Sequence, residues 1–202
     1  RAADAIALVG LFALARVFIS LAAMDIGTAF GSLGARREMF VGFLAEPALL
    51  MVLFTASLIS GSTSLPTIVD TLAHREFAIY PSLAFAGVAF TMVSLAENAR
   101  IPIDNPTTHL ELTMVNEAMV LEYSGRHLAL IDLASELKLL FYVSVIACLF
   151  VPWGIAPPDG GIGAIAVGMA SYVAKLAVGG VLLAAFETSI AKMRVFRVPA
   201  FL

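Results

Sequence analysis

The chain has 202 residues, of which 60% are hydrophobic and only 13% are charged, and its mean hydropathy is +0.96. Soluble domains are about half apolar and about a quarter charged, so this composition excludes both an ordinary soluble domain and a disordered chain and indicates a membrane protein. The net charge of −3 and the single cysteine, Cys148, exclude a basic nucleic-acid-binding surface, a disulfide framework and a cysteine-ligated metal site.

Five apolar stretches predict membrane-spanning helices, because a bilayer core about 30 Å thick requires roughly 20 largely apolar residues in a helix. In chain order they are residues 4–24, 45–64, 80–96, 127–152 and 162–187. Only helices and closed barrels satisfy their backbone polar groups in lipid. We therefore predict an all-α, polytopic transmembrane helical bundle that forms a single membrane domain over residues 1–202.

Basic residues are distributed unequally between the two sets of predicted loops. One side carries Arg36, Arg37, Arg100, Arg126, Lys192, Arg194 and Arg197, whereas the other carries Arg1 and Arg75. Loops rich in lysine and arginine remain in the cytoplasm. The distribution therefore predicts that the segment between the third and fourth spans lies on the cytoplasmic side of the membrane.

Three charged residues fall near the ends of the predicted spans. Arg16 lies about 12 Å from the cytoplasmic end of its helix, so we expect its long side chain to reach water. Glu46 precedes Pro47 at the predicted start of a helix, where the helix dipole favours a carboxylate. Asp132 lies in the second turn of its helix, where an anchoring role and a proton-transfer role are equally compatible with the sequence.

Glu136, Lys138 and Lys175 lie deeper in the predicted spans. Lys175 is about 18 to 20 Å from either end of residues 162–187. A lone lysine at that depth either loses its proton or pairs with a carboxylate. Because charged residues inside a membrane are costly, each is a functional candidate, and Glu136 is the nearest carboxylate to Lys175 by depth.

Residues 97–126 form an acidic segment between the third and fourth spans. Its carboxylates are Glu97, Asp104, Glu111, Glu117 and Glu122. We predict a turn at 104–106 and a helix over 107–123, on which Glu111 and Glu122, eleven residues apart, share nearly the same face. Carboxylates grouped in an apolar environment can take up and pass protons. A solvated acidic loop that binds a basic partner is the alternative, and the spacing does not decide between them.

The central motif also carries a family resemblance. Glu97, Arg100, Pro102, Asp104 and Pro106 form the pattern E-x-x-R-x-P-x-D-x-P, which is followed by Glu111 and by EYSG at 122–125. This pattern resembles the complex I subunit 1 family, the membrane subunit at the junction with the peripheral electron-transfer arm. The sequences DNPTTHLELTM, GARREMFVGFLAEPALL and KMRVFRVPAFL are similar to its energy-converting hydrogenase branch, the membrane subunits of formate hydrogenlyase and hydrogenase-4 type complexes.

The resemblance implies a non-catalytic anchoring and proton-coupling subunit in the cytoplasmic (inner) membrane of a bacterium or archaeon. It implies no redox cofactor in this chain, with iron–sulfur clusters and a nickel–iron site in partner subunits. The implied partners are peripheral hydrogenase or dehydrogenase subunits and antiporter-like membrane subunits, beside the lipid bilayer. Members of the family have about eight spans, so we expect this chain, which shows five spans and one acidic cytoplasmic-side helix, to be a piece of a longer subunit.

The resemblance also implies roles for particular residues. Carried over by motif, Glu97, Arg100, Asp104, Glu111 and Glu122 line an acidic cavity that faces the peripheral arm, with Glu46 on a neighbouring helix. Glu117, Asp132, Glu136 and Lys175 complete the set of candidate proton-coupling residues.

Two alternatives belong to different functional classes. The first is a quinone-binding membrane subunit of a complex I-type NADH:quinone oxidoreductase, which would bind quinone. The second is a purely structural membrane anchor whose acidic segment binds the peripheral arm. A free-standing transporter is disfavoured because the sequence shows no inverted half-repeats.

Overall fold

The computed structural model describes residues 4–73, 81–100, 114–156 and 161–197, and the regular elements in these ranges are helices. They are α1 (Ala5–Asp25), α2 (Ala29–Ser60), α3 (Leu65–Ala73), α4 (Pro81–Glu97), α5 (Val115–Val120), α6 (Gly125–Phe150) and α7 (Ile162–Arg197). Four of them, α1, α2, α6 and α7, are long and apolar enough to cross a membrane, and α4 is a shorter apolar helix. The chain is a multi-pass helical membrane protein, as predicted.

Asp4 joins the start of α1 to the chain that follows α2. Its Oδ1 accepts hydrogen bonds from the backbone N–H groups of Ile6, at 2.9 Å, and Ala7, at 3.4 Å. Its Oδ2 accepts a hydrogen bond of 2.8 Å from the hydroxyl of Thr63. The backbone N–H of Ala5 donates to the carbonyl of Thr63 at 2.9 Å, so both main chain and side chain fix this end of the helix pair.

Helix α2 is much longer than the predicted span at 45–64, because it begins at residue 29. Thr28 caps its start by accepting a hydrogen bond from the backbone N–H of Gly31, and Gly61 ends it in a left-handed conformation. Pro47 lies inside the helix, where a membrane protein tolerates the loss of one backbone hydrogen bond. The interpretation of Glu46 as a residue at a helix start is therefore wrong.

The basic residues that the sequence assigns to loops lie partly on helices. Arg36 and Arg37 are exposed residues of α2, and Lys192, Arg194 and Arg197 fall within α7. The loop assignment is wrong at these positions, since both helices continue past the apolar stretches by which spans are recognised. The side of the membrane on which these residues lie stays a prediction.

The predicted helix over 107–123 is confirmed only in part. Helix α5 covers Val115–Val120, and Glu122 lies in the turn that follows it. Residues 101–113, which include Glu111, lie outside the described residues. The prediction that Glu122 lies on a helical face together with Glu111 is therefore wrong for Glu122, because α5 ends two residues before it.

Helices α1, α2, α4 and α6 pack around Tyr142 of α6, which is 1% exposed. Its ring stacks on Phe12 of α1 with centroids 5.8 Å apart and lies 5.9 Å from the ring of Phe90 of α4. Leu49 and Leu53 of α2 belong to the same buried cluster. Burial of each such side chain contributes about 1.5–3 kcal/mol, and together these contacts hold the four helices side by side.

Helix α7 packs against the C-terminal half of α6, and none of its described side chains is buried. The backbone approaches α6 closely at Gly179, where an added Cβ would lie 3.0 Å from Val143. The hydroxyls of Ser144 and Tyr172 share a hydrogen bond of 2.7 Å. Most of the α7 surface up to Ser189 is therefore left uncovered by the described part of the chain.

The contact between Asp4 and Thr63 generates a prediction about pH. The hydroxyl of Thr63, together with the two backbone N–H donors, lowers the pKa of Asp4 below its usual value of 3.8. Because the folded value is the lower one, the contact stabilises the fold above pH of about 4, and this contribution disappears as the pH falls through the lowered pKa. Thr63→Val should move the titration midpoint of Asp4 upwards, measured from the carboxyl ¹³C shift in detergent. An unchanged midpoint would contradict the assignment.

Candidate functional site

Arg16 of α1 lies at the centre of a buried group of charges, and its side chain is only 6% exposed. Its Nη1 donates a hydrogen bond of 3.2 Å to Glu46 of α2, and its Nη2 donates to Glu97, the last residue of α4. Its Nε lies 3.0 Å from Glu38 of α2, an ion pair without hydrogen-bond alignment. The expectation that Arg16 reaches water is wrong, because these carboxylates stabilise it inside the protein.

Lys138 of α6 supplies a second cation to the same group. Its Nζ lies 3.1 Å from Glu97 Oε2 and also donates a hydrogen bond of 2.6 Å to the backbone carbonyl of Glu97. The side chain of Glu97 is 2% exposed and is thus the most buried of the carboxylates that contact Arg16. The buried charge cluster consists of Arg16, Glu38, Glu46, Glu97 and Lys138, which together link four helices.

The spacing of residues on α2 creates the space for the guanidinium. Glu38 and Glu46 are two helical turns apart, and Gly42 lies one turn from each. The ideal position of a Cβ at Gly42 would overlap Arg16 Nη1 and lie 2.7 Å from Arg16 Cδ. Glycine at this position therefore lets the arginine lie directly against the α2 backbone.

The cluster contains more acidic than basic groups. If every group were ionised, Arg16 and Lys138 would contribute +2 and the three glutamates −3, a sum of −1. Three further buried atoms, Glu97 Oε1, Tyr142 Oη and Ser20 Oγ, have no hydrogen-bond partner among the described residues. Carboxylates and hydroxyls arranged in this way can accept, hold and pass a proton.

Comparisons with known proteins place the chain in a family. A model of the family described as NADH dehydrogenase matches residues 2–202. The chain belongs to the NADH dehydrogenase family. Formate hydrogenlyase subunit 4 of Escherichia coli (strain K12) is 32% identical to it over 191 residues, and hydrogenase-4 component C of the same organism is 36% identical over 154 residues.

The alignment with formate hydrogenlyase subunit 4 covers 95% of this chain and 61% of the relative. The alignment with hydrogenase-4 component C covers 76% of this chain and 47% of the relative. The chain thus spans between about half and three fifths of the length of the relatives it matches. The resemblance to the complex I subunit 1 family and its hydrogenase branch, first seen in the central motif, is confirmed by these matches.

Only some of the candidate proton-coupling residues lie in the buried charge cluster. Glu46 and Glu97 belong to it, whereas Arg100 pairs with Glu187 of α7, with 3.5 Å between Arg100 Nη1 and Glu187 Oε1. Asp104 and Glu111 lie outside the described residues. Glu117, Glu122, Asp132 and Glu136 are exposed.

Lys175 does not pair with Glu136. Its Nζ donates a hydrogen bond of 2.6 Å to the carbonyl of Val151, directly after the end of α6. Glu136 lies fourteen residues before Phe150 in the same helix, which places it roughly 21 Å away along the helix. A helix C-terminus has unpaired carbonyl groups and a partial negative charge, so it satisfies the lysine without a carboxylate.

Arg16 and Glu38 are missed by the sequence patterns, and Lys138 is identified by its depth in the span without its partner, although all three residues lie in the buried charge cluster. The distance of Arg16 from the end of its helix predicts that its side chain reaches water, and this distance gives no reason to expect a buried ion pair. Glu38 lies before the predicted span at 45–64, where the sequence predicts a loop, whereas it belongs to α2, which begins at Ala29. The available signal is that cations and carboxylates at similar membrane depth need partners, and it does not specify which residues pair.

The close approach at Gly42 generates a second prediction. Gly42→Ala should force the arginine away from α2 and lower the free energy of unfolding by about 1–3 kcal/mol, the usual cost of overpacking. Gly10→Ala on α1 is the matched control, because nothing lies within 4 Å of its added Cβ. It should be neutral or stabilising by up to about 1 kcal/mol. Thermal unfolding in detergent measures both, and equal effects would contradict the packing described.

Proposed function

We propose that this chain is the membrane anchoring and proton-coupling subunit of an energy-converting nickel–iron hydrogenase or formate-hydrogenlyase-type complex. In that role it links electron transfer in peripheral subunits to ion translocation across the membrane. The names of the two relatives support the type of complex. The buried charge cluster supports the coupling role, and it is the observation on which the proposal rests.

The cluster suits coupling because its charges are held inside the membrane by few, specific contacts. Glu97 contacts both cations and is also the last residue of α4, where the acidic segment 97–126 begins. Protons would enter through that segment, with Asp104, Glu111, Glu117 and Glu122 as acceptors, and reach Glu97. A proton bound there changes the charge that Arg16 and Lys138 experience, which is how uptake would be passed on.

Asp132, Glu136 and Lys175 are proposed to carry charge onwards, towards antiporter-like membrane subunits. The proposal places the chain in the cytoplasmic membrane of a bacterium or archaeon, with the acidic segment on the cytoplasmic side. It assigns no redox cofactor to this chain and places iron–sulfur clusters and a nickel–iron site in the peripheral hydrogenase subunits. In the described part of the chain, no three His, Cys, Asp or Glu side chains lie together as metal ligands would.

The third prediction tests the coupling role in the assembled complex. Glu97→Gln removes a charge that Arg16 and Lys138 both contact, while keeping the shape of the side chain. Electron transfer should continue, whereas proton translocation should fall by roughly tenfold or more. Hydrogen formation and the pH change outside sealed vesicles measure the two activities separately. Full translocation by an assembled Glu97→Gln complex would refute the coupling role.

Two further variants control this experiment. Asp25→Asn removes an exposed carboxylate at the end of α1 and should leave both activities unchanged. Breaking a buried ion pair can cost about 3–5 kcal/mol, which could by itself prevent assembly of the Glu97→Gln complex. Glu46→Gln is therefore the second control, because it removes one contact from a side chain that is 32% exposed. Normal translocation in an assembled Glu46→Gln complex, together with lost assembly in Glu97→Gln, would favour a purely structural anchor.

A second candidate function is a quinone-binding membrane subunit of a complex I-type NADH:quinone oxidoreductase. The description of the matching family, NADH dehydrogenase, favours it. It predicts bound quinone in the purified complex and loss of turnover with quinone-site inhibitors. Turnover that continues in quinone-depleted membranes, with hydrogen as the product, would leave the hydrogenase assignment in place.

A further inference from the structure

The carboxyl group of Glu97 has one oxygen that the buried charge cluster leaves without a partner. Both cations contact the other oxygen, Oε2, because Arg16 Nη2 donates a hydrogen bond to it and Lys138 Nζ lies 3.1 Å from it. Oε1 is buried and has no hydrogen-bond partner among the described residues. A side chain that is only 2% exposed is closed to bulk water, so a partner for Oε1 has to lie inside the protein.

The hydroxyl of Tyr142 is a buried group that faces Glu97. Tyr142 lies four residues after Lys138 on α6, so both side chains project from the same side of the helix. Its hydroxyl also lacks a hydrogen-bond partner in the described part of the chain. It lies near enough to the Glu97 carboxyl to interact with it, without an aligned hydrogen bond. Pairing a phenol donor with a carboxylate acceptor would satisfy two buried polar atoms at once.

Two aromatic rings hold the phenol at this position. Phe12 stacks on the Tyr142 ring from α1, and Phe90 contacts it from α4. Phe12 lies one turn before Arg16 on its helix, and Phe90 lies two turns before Glu97. The ring is therefore fixed next to the place where Arg16 and Glu97 meet, and its hydroxyl is the part that can respond to a change at Glu97.

The two oxygens of Glu97 have different surroundings. Oε2 contacts Arg16 and Lys138, so it is the oxygen that compensates their charges. Oε1 makes no hydrogen bond to either cation, so a proton can bind to it without displacing them. A hydroxyl beside Oε1 suits both charge states of the carboxyl, because it can donate one hydrogen bond and accept others.

We propose that Tyr142 is a positioning residue for proton uptake at Glu97, through a hydrogen bond between its hydroxyl and Glu97 Oε1. When Glu97 is ionised, the phenol O–H donates to Oε1. When a proton binds to Oε1, the new O–H donates to the phenol oxygen, and Tyr142 keeps its own proton throughout. The inference rests on the proposed function, which makes Glu97 the group that takes up the proton.

Infrared difference spectroscopy of the assembled complex, with the full-length subunit, tests the contact. A spectrum taken between high and low pH contains the C=O stretching band of protonated Glu97, and Glu97→Asp identifies this band by displacing it. Tyr142→Phe removes the hydroxyl and keeps the ring. We expect the band to move to higher wavenumber, because a carboxyl group that loses a hydrogen bond has a stiffer C=O bond. An unmoved band in Tyr142→Phe would overturn the proposal.

Tyr172→Phe is the matched control for this measurement. It also removes a phenol hydroxyl, but one that shares a hydrogen bond with Ser144. Ser144 is two residues from Tyr142 on α6, which turns it roughly 200° away around the helix. The Glu97 band should therefore stay in place in Tyr172→Phe. A shift equal to that in Tyr142→Phe would count against a specific contact and would also overturn the proposal.

Activity measurements separate the positioning role from the proposed function. Tyr142→Phe should retain hydrogen formation and lower proton translocation by about tenfold or more, the effect of losing one hydrogen bond to a charged group. Full translocation in Tyr142→Phe, together with its loss in Glu97→Gln, would overturn the positioning role and leave the proposed function in place. Full translocation in both variants would refute the proposed function and the positioning role together.

Discussion

The burial of one guanidinium determines much of the arrangement of this protein. A charged arginine is stable inside a membrane protein only if carboxylates and hydrogen bonds replace its water. Arg16 is compensated because α2 extends past the apolar stretch far enough to supply Glu38 and because α4 supplies Glu97 from its last residue. The same carboxylate then needs Lys138, which fixes the position of α6. Contacts among these charged side chains thus orient four helices relative to one another.

The sequence predicts the membrane spans and the family well, because both are local properties. Lipid selects apolar runs of a certain length, and a motif such as that around Glu97 is contiguous. The buried cluster is different, since its members come from four helices and their pairing depends on how these helices pack. Pro47 shows the difficulty, because proline is over-represented at the first position of helices but lies within α2 here.

Helix α6 separates two sets of charges. Glu136 and Lys138 are only two residues apart, which turns their side chains roughly 200° from each other around the helix. Lys138 faces the cluster, and Glu136 faces away from it. Each carboxylate of the inner set contacts Arg16 or Lys138, whereas Asp132 and Glu136 contact no cation whose side chain the structure describes. This division explains why a subunit with so few charged residues still places several of them at membrane depth.

Lys138 binds both the side chain and the backbone carbonyl of Glu97, so one ammonium group holds a charge and a helix end together. Any change in the charge of Glu97 alters how firmly Lys138 retains the last turn of α4. Thermodynamic linkage makes this relation reciprocal: a force that displaces the end of α4 must change the proton affinity of Glu97 by the same free energy. The two contacts of Lys138 thus link the ionisation of Glu97 to the position of the last turn of α4.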